Sequence, residues 1–289
     1  METTDRVTSV TPRPAEPADR SRKGQLKPAQ PPSGLREARF GAIRAVLPPF
    51  VLALVAIAAW SLVVRGGLVA PYLLPAPGEV VRVFWESLTN GLLWQYARPT
   101  LIESLEGFIV GSLFGLATGY GIARSRLLAR TLEPYLAASQ ALPAIALAPL
   151  LVLWLGYGLT PVVVLCALIV FFPVHVNTAL GVRTLNREIL DAARVDGAGG
   201  LAMLRFFELP LALPSILAGM RAGLTLSITG AVVGEFVIGD RGLGGLLTIA
   251  RGNFNTPLVF ATLFTLAILA SGLYGIGRLI ERRLSYLEE

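Results

Sequence analysis

Six long apolar runs follow a polar first segment of the chain. They lie at about 46–64, 104–123, 135–155, 160–181, 213–237 and 257–278. Each is close to the roughly 20 residues that a helix needs to cross a bilayer. The fourth run has no charged residue, whereas the fifth contains Arg221. This pattern predicts an all-α integral membrane protein with six transmembrane helices.

The first 40 residues differ from the rest in kind. They contain six prolines, many Ser and Thr residues, and charges of both signs. Such a segment cannot bury enough apolar surface to fold, and it lacks the apolar core of a cleavable signal peptide. We therefore expect residues 1–40 to be a disordered cytoplasmic tail and residues 41–289 to form the membrane domain.

The overall charge supports this assignment once its distribution is considered. Only 15% of the residues are charged, against roughly 25% in soluble domains, yet the net charge is +6. If both termini are cytoplasmic, the inner segments beyond the tail contain ten basic residues and the outer segments five. This asymmetry follows the positive-inside rule and predicts an N-in, C-in topology. The basic character is thus explained by topology, and we expect no nucleic-acid binding.

The sequence offers no catalytic, metal or nucleotide site. With one cysteine, Cys166, an intramolecular disulfide is impossible, and with one histidine, His175, no Cys/His zinc cluster can form. No Gly-x-x-x-x-Gly-Lys-Ser/Thr run occurs. We expect no enzymatic activity, metal or cofactor in this chain.

Glycines recur every four residues in the second run. This spacing places Gly107, Gly111, Gly115 and Gly119 on one helical stripe. Small residues in such a stripe allow a second helix to approach closely in lipid. The sequence favours packing within the bundle over a contact between subunits.

The connection between the fourth and fifth runs, residues 183–212, is the most informative segment. Charge places it in the cytoplasm. Leu185, Ile189 and Ala193 are spaced to form one apolar helical face, and Gly197 suits a left-handed helix end. We expect a second short helix at about 201–207 that stops at Leu209-Pro210.

The loop resembles the cytoplasmic loop of ATP-binding-cassette (ABC) importer permeases. The family pattern is Glu-Ala-Ala, three residues, Gly, nine residues, Ile, one residue, Leu-Pro. Here the matching residues are Asp191, Ala192, Ala193, Gly197, Phe207, Leu209 and Pro210. Asp replaces Glu and Phe replaces Ile, and both changes keep the chemical character.

This resemblance implies a type I ABC importer permease fold, a bacterial cell-membrane location and several partners. Each copy of a homodimer would dock its loop on a cytosolic ABC ATPase, and an extracytoplasmic solute-binding protein would deliver the substrate. Asp191, Ala192, Ala193, Gly197, Leu209 and Pro210 would form the ATPase-coupling loop. Membrane lipid is the remaining expected partner.

Other segments bear on the branch of the family. Residues 74–80 and 242–246 are similar to outer segments of the nitrate, sulfonate and taurine branch. Residues 138–151 and 171–174 resemble permeases for riboflavin or the hydroxymethylpyrimidine precursor of thiamine. A vitamin-like heteroaromatic substrate is therefore expected, with an aliphatic sulfonate, taurine or nitrate as the alternative.

Polar residues inside the spans are candidates for the substrate pathway because they are costly in lipid. The sequence suggests Gln140, His175, Asn177 and Glu235, each with a purely structural role as the alternative. Pro143 is expected to disturb the third helix near Gln140, and Glu235 is expected to be solvated at the outer mouth.

Two other classes of membrane protein fit the sequence less well. An ion-coupled secondary transporter would need a relay of buried carboxylates, and an intramembrane serine protease would need a Ser/His pair. Ser271 and His175 could supply that pair in name, but the Gly-x-Ser-Gly motif is missing.

Overall fold

The computed structural model describes residues 34–70, 72–239 and 241–285. The tail predicted at residues 1–40 lies outside this range up to residue 33, and the first helix begins at Gly34. The chain divides into two units, residues 1–55 and 56–289.

Helices account for nearly all the described residues. In chain order they are α1 Gly34–Arg65, α2 Pro77–Thr89, α3 Leu92–Arg124, α4 Arg126–Gln140, α5 Ala144–Leu155, α6 Leu159–Arg183, α7 Arg187–Val195, α8 Gly200–Met203, α9 Leu209–Ile238, α10 Gly242–Gly252 and α11 Thr256–Ser285. A π-helical turn, Leu204–Glu208, joins α8 to α9. The all-α prediction is confirmed.

Four of the described helices are long and apolar enough to cross a membrane: α3, α6, α11 and the continuous helix formed by α8, the π turn and α9. The pair α4 and α5 also qualifies if it counts as one span, and the apolar helix Val51–Arg65 is shorter. The prediction of six spans and of an N-in, C-in topology therefore stays a prediction.

The third predicted span is sharply broken. Helices α4 and α5 meet at an angle of 99° across residues 141–143, where Pro143 precedes the first residue of α5. Because α3 and α6 run in the same direction, as their contacts show, the chain between them must return across the membrane. We therefore expect the broken pair to make this crossing.

The end of the predicted coupling loop differs from expectation. Leu209-Pro210 does not stop the second short helix, because the helix continues from Gly200 to Ile238. Pro210 falls at the start of α9, directly after the wider π turn. A proline removes one backbone hydrogen bond from a continuous helix, and here that loss falls next to the π turn.

Helix α6 is the centre of the bundle, and glycines bring its neighbours close. The predicted stripe on α3 faces α6: a Cβ at Gly107 would lie 2.2 Å from the Cβ of Cys166, and one at Gly119 would lie 2.6 Å from the carbonyl oxygen of His175. The residue numbers of the contacting positions increase together along the two helices, so α3 and α6 are parallel.

A second glycine set, which the sequence analysis did not identify, covers the other side of α6. A Cβ at Gly219 of α9 would lie 2.7 Å from the Cβ of Asn177, and one at Gly230 would lie 2.9 Å from the Cα of Cys166. The residue numbers of the contacting positions increase along α9 as they decrease along α6, so these two helices are antiparallel. Burial between two glycine faces explains why α6 has no charged residue before Arg183.

Candidate functional site

The short helix α7 begins and ends with well-formed caps. The side chain of Asn186 accepts a hydrogen bond from the Glu188 N–H at 2.9 Å. At the other end Gly197 has φ +89°, and the N–H of Ala198 donates to the Ala193 carbonyl at 2.9 Å. This is the Schellman arrangement, which favours glycine at the left-handed position. The loop therefore holds α7 in a defined place.

The two alanines of the loop motif face different ways. Ala193 is buried within the chain, whereas Ala192 and Asp191 are exposed. Asp191 forms an ion pair with Arg194 on the same helix. Exposed apolar side chains, Val195, Leu201 and Phe206, lie along the same loop. An exposed apolar surface flanked by charges is typical of a binding site for another protein.

The loop is also connected to α3 by a buried carboxylate. Glu208, in the π turn, has 1% of its surface exposed. It accepts a hydrogen bond from the Tyr120 hydroxyl at 2.8 Å and lies 3.2 Å from the Arg124 guanidinium. Removing either partner would leave this carboxylate poorly compensated, which is expensive in a buried site. Glu208 thus fixes the end of α3 to the loop.

Glu208 occupies the unspecified position of the loop motif and is absent from the predicted coupling residues. One signal was available. Glu208 is the only acidic residue between Asp196 and Glu235, a stretch that is otherwise strongly apolar. An isolated carboxylate in such a run needs a specific partner.

A cavity of about 440 Å³ lies between α3, α4 and α6. Two of the four pathway candidates, Gln140 and His175, line it. An ion pair between Glu133 and Arg183, at 2.6 Å, also lies on its wall. We call this space the inner cavity.

The ring of His175 is held in a fixed orientation. Its Nδ1 lies 3.1 Å from the hydroxyl of Thr118, and its ring stacks on that of Phe171 with centroids 5.5 Å apart. The stacked ring and the Gln140 amide together offer an aromatic face and polar groups. This combination suits a planar, polar solute better than a purely apolar one.

The other two pathway candidates do not line the inner cavity. Asn177 donates its amide to the Pro173 carbonyl at 2.8 Å and packs against Gly219 of α9. Its observed contacts join α6 to α9.

The expectation that Glu235 is solvated at an outer mouth is wrong. Its side chain is fully buried. It accepts hydrogen bonds from the Thr100 hydroxyl at 2.6 Å and from the Gly244 N–H at 2.7 Å. The carboxylate therefore caps the first turn of α10, where acidic groups are favourable. A Cβ at Gly242 would lie 1.9 Å from Glu235 Oε1, which requires glycine there.

Comparison with known sequences gives consistent matches. Residues 107–286 match the family described as binding-protein-dependent transport system inner membrane component. A riboflavin transport system permease protein of Chloroflexus aurantiacus is 46% identical over 74% of this chain and 80% of its own length. A formylaminopyrimidine transport permease protein of Halalkalibacterium halodurans is 34% identical over 69% of this chain and 79% of its own. An aliphatic sulfonates transport permease protein of Bacillus subtilis is 31% identical over 85% and 88%.

Among solved structures, a chain of the MetNI methionine ABC transporter in an inward-facing conformation is similar in fold. Its TM-score is 0.56 at 19% identity, over 66% of this chain and 94% of that chain. At this identity the likeness concerns the fold alone.

Proposed function

Because the chain belongs to the family of binding-protein-dependent transport system inner membrane components, we propose that its inner loop docks a cytosolic ATPase and that it carries a planar, vitamin-like heterocycle. Membership makes it a permease subunit of an ABC importer and a multi-pass protein of the bacterial inner membrane. The ion-coupled alternative is thereby set aside. The homodimer, the ATPase contacts and the substrate belong to the proposal.

The exposed apolar loop supports the docking site. ATP binding would draw two ATPase subunits together and displace the docked α7. Two connections would transmit this displacement into the membrane. One is the unbroken helix from Gly200 to Ile238, and the other is Glu208, which ties the loop to Tyr120 and Arg124 of α3. Rigid displacement of packed helices is a common form of such switching.

Two glycines of the loop allow a controlled test of docking. Neither Gly197 nor Gly199 has a neighbour within 4 Å of an added Cβ, but only Gly197 has a positive φ. Gly197→Ala forces a left-handed alanine, which costs about 1–2 kcal/mol, and shifts the helix end. We expect it to lower transport and ATPase coupling while membrane insertion stays normal. Gly199→Ala is the control.

Equal transport and equal ATP hydrolysis per transported molecule in the two variants would count against a coupling role for this turn. A stronger perturbation, Gly197→Asp, should abolish transport. Both variants are assayed in proteoliposomes together with the ATPase and the binding protein.

The substrate proposal rests on the 46% identical relative, whose name assigns it to riboflavin transport. The relative named for formylaminopyrimidine is consistent, since both names describe planar nitrogen heterocycles. In this chain the inner cavity provides the stacked His175 and the amide of Gln140. We propose that these two residues contact the substrate during passage.

An aliphatic sulfonate remains the second candidate, because a relative named for it matches over 85% of this chain. Uptake of labelled riboflavin and of a labelled alkanesulfonate into proteoliposomes, with ATP inside, distinguishes the two. ATP-dependent uptake of riboflavin alone supports the first proposal, and uptake of the sulfonate alone refutes it.

A further inference from the structure

The inner cavity has an ion pair at one end and the two candidate substrate contacts at the other. His175 and Arg183 of α6 both line it, and their separation in the chain corresponds to about 12 Å along a helix. Gln140 and Glu133 of α4 line it as well, and Glu133 pairs with Arg183 at 2.6 Å. Arg183 is the last residue of α6, just before α7. The ion pair therefore lies at the end of the inner cavity nearest α7.

Arg183 contacts α3 in addition to α4. Its guanidinium donates to the carbonyl oxygen of Ile122 at 3.4 Å. Ile122 lies between Tyr120 and Arg124, the two residues of α3 that hold Glu208. The last turn of α3 is therefore in contact both with the π turn, through Glu208, and with Arg183.

Helix α4, which supplies the carboxylate of the ion pair, is packed loosely. None of its residues, 126–140, is buried. The extended backbone of Ser125 separates α4 from α3, and the 99° break at residues 141–143 separates it from α5. A change in a few dihedral angles at such breaks is enough to move a helix as a rigid body. Low burial also places α4 among the less stable parts of the structure.

The Glu133–Arg183 pair is suited to opening and closing. Its two side chains are about half exposed, 48% for Glu133 and 44% for Arg183. Pairs of this kind contribute little to stability, so they can break and form again at small cost. Helices α3 and α6, by contrast, meet backbone to backbone along the glycine stripe. Relative movement therefore falls between α6 and α4 rather than between α6 and α3.

We propose that the Glu133–Arg183 ion pair is a latch, which holds α4 across the inner cavity and breaks when a docked ATPase displaces α7. The displacement reaches Arg183 through residues 184–186, which join α6 to α7, and reaches α3 through Glu208. Helices α3 and α6 move together, α4 stays behind, and the inner cavity opens at this end. The coupling of the latch to α7 rests on the proposed docking of the ATPase.

The test measures how fast a reagent reaches the inner cavity. Ala179 lines it, one turn from Arg183, and is 8% exposed. The reporter is Ala179→Cys, and the native Cys166 is fully buried and should not react. The full-length chain in nanodiscs is treated with a charged maleimide. Glu133→Gln and Arg183→Gln should each raise the labelling rate of the reporter about two- to fivefold, as loss of an exposed ion pair allows.

Three variants separate the pair from its single residues. The double Glu133→Gln/Arg183→Gln should label no faster than either single, because all three lose the same contact. The exchange Glu133→Arg/Arg183→Glu should restore slow labelling. The matched control is Glu86→Gln, which breaks an exposed pair with Arg82 inside α2 and should leave the rate unchanged.

Unchanged labelling in both singles, or additive effects in the double, would overturn the latch. If a single variant fails to fold, Glu133→Asp replaces it. This change keeps the charge and shortens the side chain by one carbon, so it should also raise the labelling rate. Labelling at the wild-type rate in Glu133→Asp would refute the proposal as well.

A second arm tests the connection to α7, with the ATPase added to the nanodiscs. The labelling rate of the reporter should differ between the nucleotide-free complex and the complex trapped with ATP and vanadate. This difference should disappear in Glu133→Gln, where the latch is open in both states. An equal difference with and without the pair would show that the latch is not driven by α7. The first arm needs neither ATPase nor substrate, so the latch is tested separately from the proposed function.

Discussion

The closest approach of the glycine stripe on α3 to the backbone of α6 is at Gly111, and it gives a sharp stability prediction. A Cβ at Gly111 would lie 2.5 Å from the Ala167 carbonyl oxygen and 2.9 Å from the Cβ of Val170. The first distance is roughly 1 Å inside the separation at which non-bonded atoms attract each other. The obstacle is backbone, so no side chain can rotate away. Gly111→Ala must push two helices apart.

Overpacking of this kind costs about 1–3 kcal/mol. Gly272 is the matched control, since it also lies in a membrane helix, α11, and an added Cβ there meets nothing within 4 Å. Alanine is a better helix former than glycine, so Gly272→Ala should be neutral or stabilising by about 0.5–1 kcal/mol. The two variants differ only in what the new methyl group meets.

Reversible unfolding in mixed micelles, or thermal unfolding at fixed detergent, measures both variants against the wild type. We expect Gly111→Ala to unfold earlier and Gly272→Ala at the same point or later. If Gly111→Ala is as stable as Gly272→Ala, close approach of the α3 and α6 backbones does not hold the bundle together, and the argument from the glycine stripe fails.

Three further variants test individual contacts. Glu208→Gln should raise the ATP hydrolysed per transported molecule in proteoliposomes, because the loop loses its charged tie to α3; an unchanged ratio would remove Glu208 from the coupling path. Glu235→Gln should cost about 1–3 kcal/mol, since the two bonds fall on different carboxylate oxygens and an amide nitrogen in place of one of them cannot accept, and should expose α10 to protease. Glu106→Gln, at an exposed carboxyl of α3, is the control and should do neither. Trp60→Phe should lower the unfolding temperature by an amount equivalent to about 1 kcal/mol through loss of its 3.0 Å hydrogen bond to the Pro75 carbonyl, and no loss would mean that water replaces this bond.

The apolar runs predicted the positions of the long helices because length and hydropathy alone decide whether a helix can cross lipid. The short helices α2 and α10 were not predicted. Their formation depends on packing in the bundle: Leu243 of α10 is fully buried and its N–H donates to Thr100. Single-sequence periodicity does not contain such contacts between distant segments.

For the candidate site, the loop motif depended on spacing, and the structure places Gly197 at positive φ as that motif requires. The partners of the buried carboxylates Glu208 and Glu235 could not be predicted. Both acidic residues are recognisable as isolated charges, but the hydroxyl and guanidinium groups that bind them lie more than 80 residues away in α3. Only the arrangement of α3 beside α6 and α9 brings them together.

The glycine stripe on α3 also sets the step size of any sliding motion. Its four glycines repeat every four residues and each receives a part of α6. At 1.5 Å per residue, the next position in which the two surfaces match lies about 6 Å away. Intermediate positions would press side chains of α6 against backbone. The two helices therefore have a fixed register relative to each other. A transport cycle with displacements smaller than this step must move them together as one rigid body.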